Sequence, residues 1–284
     1  MTRVASAILV VLWTAIPAVA QSDTCAALDD TQRRAAEKIL TSEYLYDCCD
    51  ETVSRCLEAQ PTCRLAVRIA DDICRRVAAG QGEVGIRRAL SRRARSMMGG
   101  ANPSEIDLST APIFGPADAP VTVVIYACGR CPYCSELIPA LYEIADNGAL
   151  NGDVRLAFRV FPIRGHEGST DAGLGFAAAA EMDGFWLFML HAYRHFDDYS
   201  AERQVEWAAA VGLDHDAFSS RLHDPATREA LVASKKEGLA NGVEETPTLF
   251  LNGRQWVGDL AIEPLVDAIQ EEAARVRGDV WVTD

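Results

Sequence analysis

The spacing of apolar positions changes character along the chain. Over residues 62–79, TCRLAVRIADDICRRVAA, Leu65, Ile69, Ile73 and Val77 recur every fourth position, the stripe of an amphipathic helix. Thr62 is placed to cap its start and Gly80 to stop it. Pro61 separates it from a shorter helix around 50–59, and EVGIRRALSRRARSM predicts a third. The period then switches. PVTVVIYA, 120–127, is an apolar, β-branched run that predicts a buried strand. A helix follows over SELIPALYEIADNG, with Leu137, Leu141 and Ile144 on one face and Gly148 as its stop, and DVRLAFRVFPI, 153–163, predicts a second strand. Strand, helix, strand at this spacing is a βαβ unit with a parallel pair and a right-handed crossover. Residues 168–240 read as mostly helical, TPTLFLNGRQWVG as a hairpin turning at Asn252-Gly253, and 261–276 as a closing helix.

Between these blocks, SMMGGANPSEIDLSTAPIFGPADAP is rich in Gly, Pro, Ser and Ala and carries little periodicity. The expected division is therefore a helical domain over 21–96, a linker over 97–116 and an α/β domain over 117–284 with a helical insertion at about 168–240. The first twenty residues have Arg3, an apolar run from Val4 to Ile16 and Ala18-Val19-Ala20, the pattern of a secretory signal cleaved after Ala20. The run is short for an uncleaved anchor, since about 20 residues are needed to span a bilayer. Ser22-Asp23-Thr24 before Cys25 lacks the small apolar lead-in of a lipidated cysteine. The mature chain is expected to be soluble and exported, with the periplasm as its compartment. A net charge of −14 argues against nucleic acid as a partner, because phosphate binding needs clustered Lys and Arg.

Cysteine usage follows the same division. Cys25, Cys48, Cys49, Cys56, Cys63 and Cys74 precede residue 80, and Cys128, Cys131 and Cys134 stand alone in the rest. An oxidising compartment makes the first six candidates for structural disulfides. Cys63 and Cys74 lie about 16 Å apart along one helix axis, too far to bond each other. If the helices flanking Pro61 fold back as a hairpin, Cys56 meets Cys63, Cys48 or Cys49 meets Cys74, and the remaining one of the vicinal pair reaches Cys25. Metal binding or a second redox centre are the alternatives for this block.

Cys131-Pro132-Tyr133-Cys134 falls where the first strand meets its helix. A helix N-terminus exposes unpaired N–H groups and partial positive charge, which favour a thiolate at Cys131, with Arg130 beside it to assist. Pro132 suits the first helical turn. A C-x-x-C beside a βαβ pattern is the cue for a redox dithiol. Tetrahedral zinc or an iron–sulfur cluster would need a fourth ligand; no further cysteine lies near, and nothing in the sequence fixes His166 in that role. No metal or cofactor is expected. Cys128 reads either as a buried free thiol at the strand end or as a third redox thiol. Trp186, Phe188 and Tyr193 read as core, His166, His191 and His195 as surface or packing residues, and Lys235-Lys236 as a solvated face.

With GPADAPVTVVIYA, CPYC, the helical stretch and GVEETPTLFLNG in place, residues from about 112 to 276 resemble the DsbA-like thiol–disulfide oxidoreductases of the thioredoxin superfamily. The resemblance implies a thioredoxin fold with an inserted helical domain, preceded here by a small disulfide-stapled all-α domain. It implies Cys131 and Cys134 as the redox pair, and a cis peptide at Thr246-Pro247 facing them and binding extended substrate. Pro132 and Tyr133, between the cysteines, would tune the couple. The family often keeps a buried acid six residues before the nucleophile; this chain has Ile125. The N-terminal block more loosely resembles the three-helix domain of the cytochrome c maturation protein CcmH, without its L-R-C-x-x-C pair. The activity implied is disulfide exchange with exported cysteine-containing proteins, as an oxidase recharged by a redox partner. A reductase in cytochrome c maturation, an isomerase, and a non-catalytic metal-binding or chaperone protein are the alternatives.

Overall fold

The structure is a computed structural model that describes residues 23–99 and 103–282. The export signal expected over 1–20 lies outside the described residues.

The N-terminal part is built from five helices, α1 (Asp23–Ala26), α2 (Asp30–Leu40), α3 (Val53–Glu58), α4 (Arg64–Ala78) and α5 (Glu83–Met98). The sequence analysis passed over α2, yet its start carries a clear signal. The Asp29 carboxylate accepts from the N–H groups of Thr31 and Gln32, and the Gln32 side chain accepts in return from the Asp29 N–H at 3.0 Å, a capping box. The predicted stripe of α4 is its core face: Leu65, Ile69, Ile73 and Val77 are buried among Leu28, Ile39 and Ile86. Cys63, one residue after the expected Thr62, is the N-cap.

Three disulfides staple this block, and their pairing corrects the nested scheme. The bonds are Cys25–Cys74, Cys48–Cys63 and Cys49–Cys56, with Cα separations of 5.1, 6.2 and 6.1 Å. The scheme failed at its first pair: α3 packs on α4, but Cys56 and Cys63 each bond a cysteine of the preceding loop. Residues 43–53 form their own loop, closed by the Val53 N–H donating to Glu43 O at 2.9 Å and by a bridge between Tyr44 and Thr52. That loop returns Cys49 to Cys56 on the adjoining α3, and the left-handed backbone of Cys48 (φ 56°) sends it to Cys63 instead. Cys74 is then left to α1, which packs along α4.

The second part carries a five-stranded sheet in the order β1-β3-β2-β4-β5. Its strands are β1 (Ile113–Phe114), β2 (Val121–Ala127), β3 (Val154–Val160), β4 (Thr248–Leu251) and β5 (Arg254–Gln255). β2 and β3 run parallel with Val124 opposite Ala157, joined by the crossover helix α6 (Pro132–Asn147), as the βαβ pattern requires. β4 pairs antiparallel with β2 and turns into β5 through Asn252 and Gly253, both at positive φ. β1, within the stretch expected as linker, adds an antiparallel edge to β3. Helices α7 (Ser169–Ala180), α8 (Phe185–Arg194), α9 (Arg203–Ala210), α10 (His215–Leu222) and α11 (Pro225–Ala240) stand between β3 and β4, and α12 (Ile262–Arg277) closes the chain. One face of β2, Val121, Val123, Ile125 and Ala127, packs with α6, α7, α8 and α12. Val124 and Tyr126 face the other side, with Phe161, Val243 and Phe250.

Charge joins the two parts. The side chain of Arg93 is 3% exposed and bonds Asp267 and Glu271 on α12, while Arg68 also reaches Asp267 at 2.6 Å. The Tyr46 hydroxyl donates to Glu271 at 2.6 Å, and Arg76 and Arg92 share Asp259. Burial alone would raise the Asp267 carboxyl, but Arg93 and Arg68 outweigh it and hold it below the usual range. The chain end seals the seam, since Arg64 N–H donates to Val280 O at 3.0 Å and Val282 N–H to Thr62 O at 2.8 Å.

Candidate active site

Cys131 is the N-cap of α6, with extended backbone (φ −95°, ψ 120°) and Pro132 at the first helical position. It is reached from β2 through a turn over residues 128–131, in which the Cys131 N–H donates to Cys128 O at 3.1 Å. Gly129 permits that turn to touch α7: a Cβ there would lie 2.9 Å from the Ala172 side chain. Cys134, one helical turn on, is fully buried.

The Thr246–Pro247 peptide is cis and faces this helix end. The Cys131 thiol donates to the Thr246 carbonyl at 3.2 Å. The buried Thr246 hydroxyl has no hydrogen-bond partner among the described residues, which leaves it free to donate to a thiolate at Cys131.

These contacts separate the two thiols. Hydrogen bonding from Cys134 is the largest influence on Cys131; burial opposes it, and the Thr246 side chain, the Cys134 backbone N–H and the charge of His166 add to it. Together they pull Cys131 from an ordinary thiol value of 9.0 down to about 5. Cys134 moves the other way: burial pushes it well above its ordinary value, and hydrogen bonding with Cys131 adds to the rise. One cysteine is therefore a thiolate at neutral pH and the other a protonated thiol, the division that disulfide exchange needs.

Arg130 does not play the part expected of it. Its guanidinium is drawn to the helical insertion, 4.3 Å over the Phe196 ring and 4.6 Å over Tyr199, with a hydrogen bond to Phe196 O. The basic side chain that acts on Cys131 is His166 instead, a residue read from sequence as surface or packing. Nothing in its spacing reveals this, because it arrives on the loop after β3, in the polar cleft with Ser169 and Lys235. Its Nδ1 lies 3.5 Å from Cys128 Sγ. Cys128 is fully buried, and the Tyr193 hydroxyl on α8 donates to its carbonyl at 3.2 Å. Tyr193 is thus core by burial but touches the site through its polar tip. Lys235 is not a solvated cation either: its Nζ lies 3.2 Å from the Phe161 ring centroid and donates to Pro162 O at 2.8 Å.

On the open side, Tyr133 is 71% exposed beside a groove formed with Leu137, Ala140, Pro247, Leu260 and Ile262. Ile125 is fully buried on β2 opposite Phe158 and Leu249, a wholly apolar setting. Among the described residues no group of three or more His, Cys, Asp or Glu side chains is arranged to hold a metal, and no helix is long and apolar enough to cross a membrane.

The chain is 32% identical over 198 residues to a Na(+)/H(+) antiporter NhaA 3 of Salinispora tropica; the match takes in 67% of this chain and 30% of that protein. The chain thus spans less than a third of the length of the curated relatives it matches, and antiport is the name of those proteins. Oxidised BdbD of Bacillus subtilis superposes with a TM-score of 0.54 at 20% identity, covering 61% of this chain and 98% of BdbD. For alpha-DsbA1 of Wolbachia pipientis the TM-score is 0.53 at 18% identity, over 61% of this chain and 96% of that one. The thioredoxin family profile matches residues 107–271, more than half of the chain, from the approach to β1 through most of α12. The chain therefore belongs to the thioredoxin family, and its second part has the DsbA-like form of that fold, with helices set between β3 and β4.

Proposed function

We propose that this chain is an exported thiol–disulfide oxidoreductase that works as a disulfide donor to cysteine-containing proteins. The observation that carries the reading is the contrast between Cys131, lowered to about 5 at a helix N-terminus, and Cys134, raised by burial behind it. A substrate thiolate attacks Cys131 Sγ of the oxidised pair, and Cys134 leaves. A second substrate thiol then attacks the substrate sulfur of the mixed disulfide, and Cys131 departs as a stabilised thiolate. Stabilising that thiolate favours the reduced enzyme, which makes the oxidised enzyme a willing donor. The Thr246 backbone and the apolar groove beside Pro247 suit an extended peptide whose side chain next to the cysteine is apolar. Cys131 and Cys134 act as the redox pair, with Thr246 and Pro247 as the peptide platform. Three disulfides in the N-terminal helices fit an oxidising compartment and export. A redox partner must reoxidise the pair after each turnover.

The test is disulfide formation in a reduced, unfolded cysteine-containing protein, followed by alkylation and mass. Stoichiometric oxidised enzyme should transfer its disulfide and emerge with Cys131 and Cys134 reduced, and Cys131→Ser should abolish transfer. Equal transfer by that variant would overturn the reading.

A further inference from the structure

Cys128 takes no part in the exchange just described, yet its buried sulfur lies among polar groups. The Cys131 N–H bond to Cys128 O makes residues 128–131 a β-turn, whose end Cα atoms lie within about 7 Å, the reach of a disulfide. Within that turn the Cys128 sulfur accepts from the Arg130 N–H at 3.4 Å, so its side chain folds over the turn toward Cys131's end of it. His166 Nδ1 and Ser169 Oγ each lie 3.5 Å from the same sulfur, giving it an imidazole base and a hydroxyl. The Tyr193 hydroxyl donates to the Cys128 carbonyl at 3.2 Å and holds this turn in place.

We infer that Cys128 is a third redox thiol, which attacks Cys131 with His166 as its base and forms an alternative Cys128–Cys131 disulfide. The inference rests on the exchange reading of Cys131. In a mixed disulfide, Cys128 passes its proton to His166, and its thiolate attacks Cys131 Sγ. The bond from Cys131 to the substrate breaks, and the substrate sulfur leaves with the electron pair and is reprotonated. In this step Cys128 is oxidised and the substrate sulfur reduced by one electron each, Cys131 stays at the disulfide level, and no outside oxidant is consumed. His166 opens onto the polar cleft beside Lys235 and Thr170, which gives the proton an exit. The step releases a partner that has no second thiol to finish its own exchange, and it does so without Cys134.

Trypsin makes the isomers distinguishable, because it cuts after Arg130: Cys128 falls on one peptide, and Cys131 and Cys134 on the next. The experiment treats the reduced Cys134→Ser protein with oxidised glutathione, then quenches with acid, alkylates and digests. Glutathione should appear on Cys131 and then be lost as the two peptides become cross-linked. In Cys128→Ala/Cys134→Ser the adduct should persist at least roughly a hundredfold longer, the scale on which a positioned intramolecular thiol outruns solution thiols. His166→Ala should slow cross-linking by on the order of tenfold or more, with partial rescue by added imidazole. An adduct that survives equally in both variants, with Cys128 alkylated, overturns the inference while leaving the exchange reading intact. Absence of any adduct on Cys131 removes both. Should Cys134→Ser fail to fold, oxidised protein without substitutions serves instead: a minor cross-linked species supports the isomer, and its absence across a glutathione titration refutes it.

Discussion

Replacing Thr246 by Val isolates one part of the Cys131 environment. The substitution removes the buried hydroxyl, keeps a β-branched side chain of similar shape, and leaves the carbonyl that Cys131 meets at 3.2 Å. A hydrogen bond to a charged group contributes about 1.5–3 kcal/mol, and about 1.4 kcal/mol corresponds to one pH unit in a titration midpoint. The Cys131 midpoint should therefore rise from about 5 to roughly 6 or 7. The lost stabilisation belongs to the reduced form alone, so the couple should become less oxidising by roughly 30–60 mV. Thiolate absorbance against pH in the reduced protein reads the first quantity, and equilibration with glutathione reads the second. A midpoint and potential both unchanged in Thr246→Val would refute the assignment of the hydroxyl as a thiolate donor. A midpoint that moves while the potential stays fixed would refute the link between thiolate stability and oxidising power.

Linkage gives a pH test. Cys131 is lowered in the folded reduced protein, so its contribution to stability is lost as pH falls through about 5 and grows as pH rises toward the ordinary thiol value. Cys134 is raised, so its contribution is present below the ordinary thiol value and declines above it. Denaturant unfolding of the reduced protein, compared with the oxidised one, should show the difference favouring the reduced form increasingly from mildly acidic to mildly alkaline pH; a flat difference would contradict the Cys131 assignment. At the seam, Arg93→Ala leaves Asp267 and Glu271 without their buried cation and should cost about 3–5 kcal/mol in denaturant unfolding. Limited proteolysis of that variant should open the segment around 103–112, and unchanged stability would show that the seam does not depend on this network.

The frame of the second part was legible because each element announces itself locally. The β-branched run at 121–127, the Pro132 start of α6 and the Asn252-Gly253 turn need no tertiary context. The place of Cys131 and Cys134 at a strand–helix junction was legible from the C-x-x-C and Pro132, whereas the cis bond at Thr246-Pro247 was expected only from the family resemblance, because X-Pro bonds are mostly trans. The N-terminal disulfides were not, because pairing depends on how a loop folds back, and Cys48 takes a left-handed conformation that no neighbouring residue signals. Arg130 misled for a related reason: proximity in sequence to Cys131 says nothing about Phe196 and Tyr199, which arrive 66 and 69 residues later and capture its guanidinium. His166 was invisible in the same way, since its place beside Cys128 comes from the loop after β3 packing against the turn.

The central claim is that Cys131 and Cys134 form one reversible, strongly oxidising couple. A glutathione redox titration of the protein, with alkylated thiols counted by mass and mapped by peptide, measures it directly. The account predicts a two-electron transition at Cys131 and Cys134 lying nearer to about −120 mV than to about −270 mV, while Cys25, Cys48, Cys49, Cys56, Cys63 and Cys74 stay paired throughout. A strongly reducing couple, or one in which the N-terminal cysteines titrate together with Cys131, would contradict it.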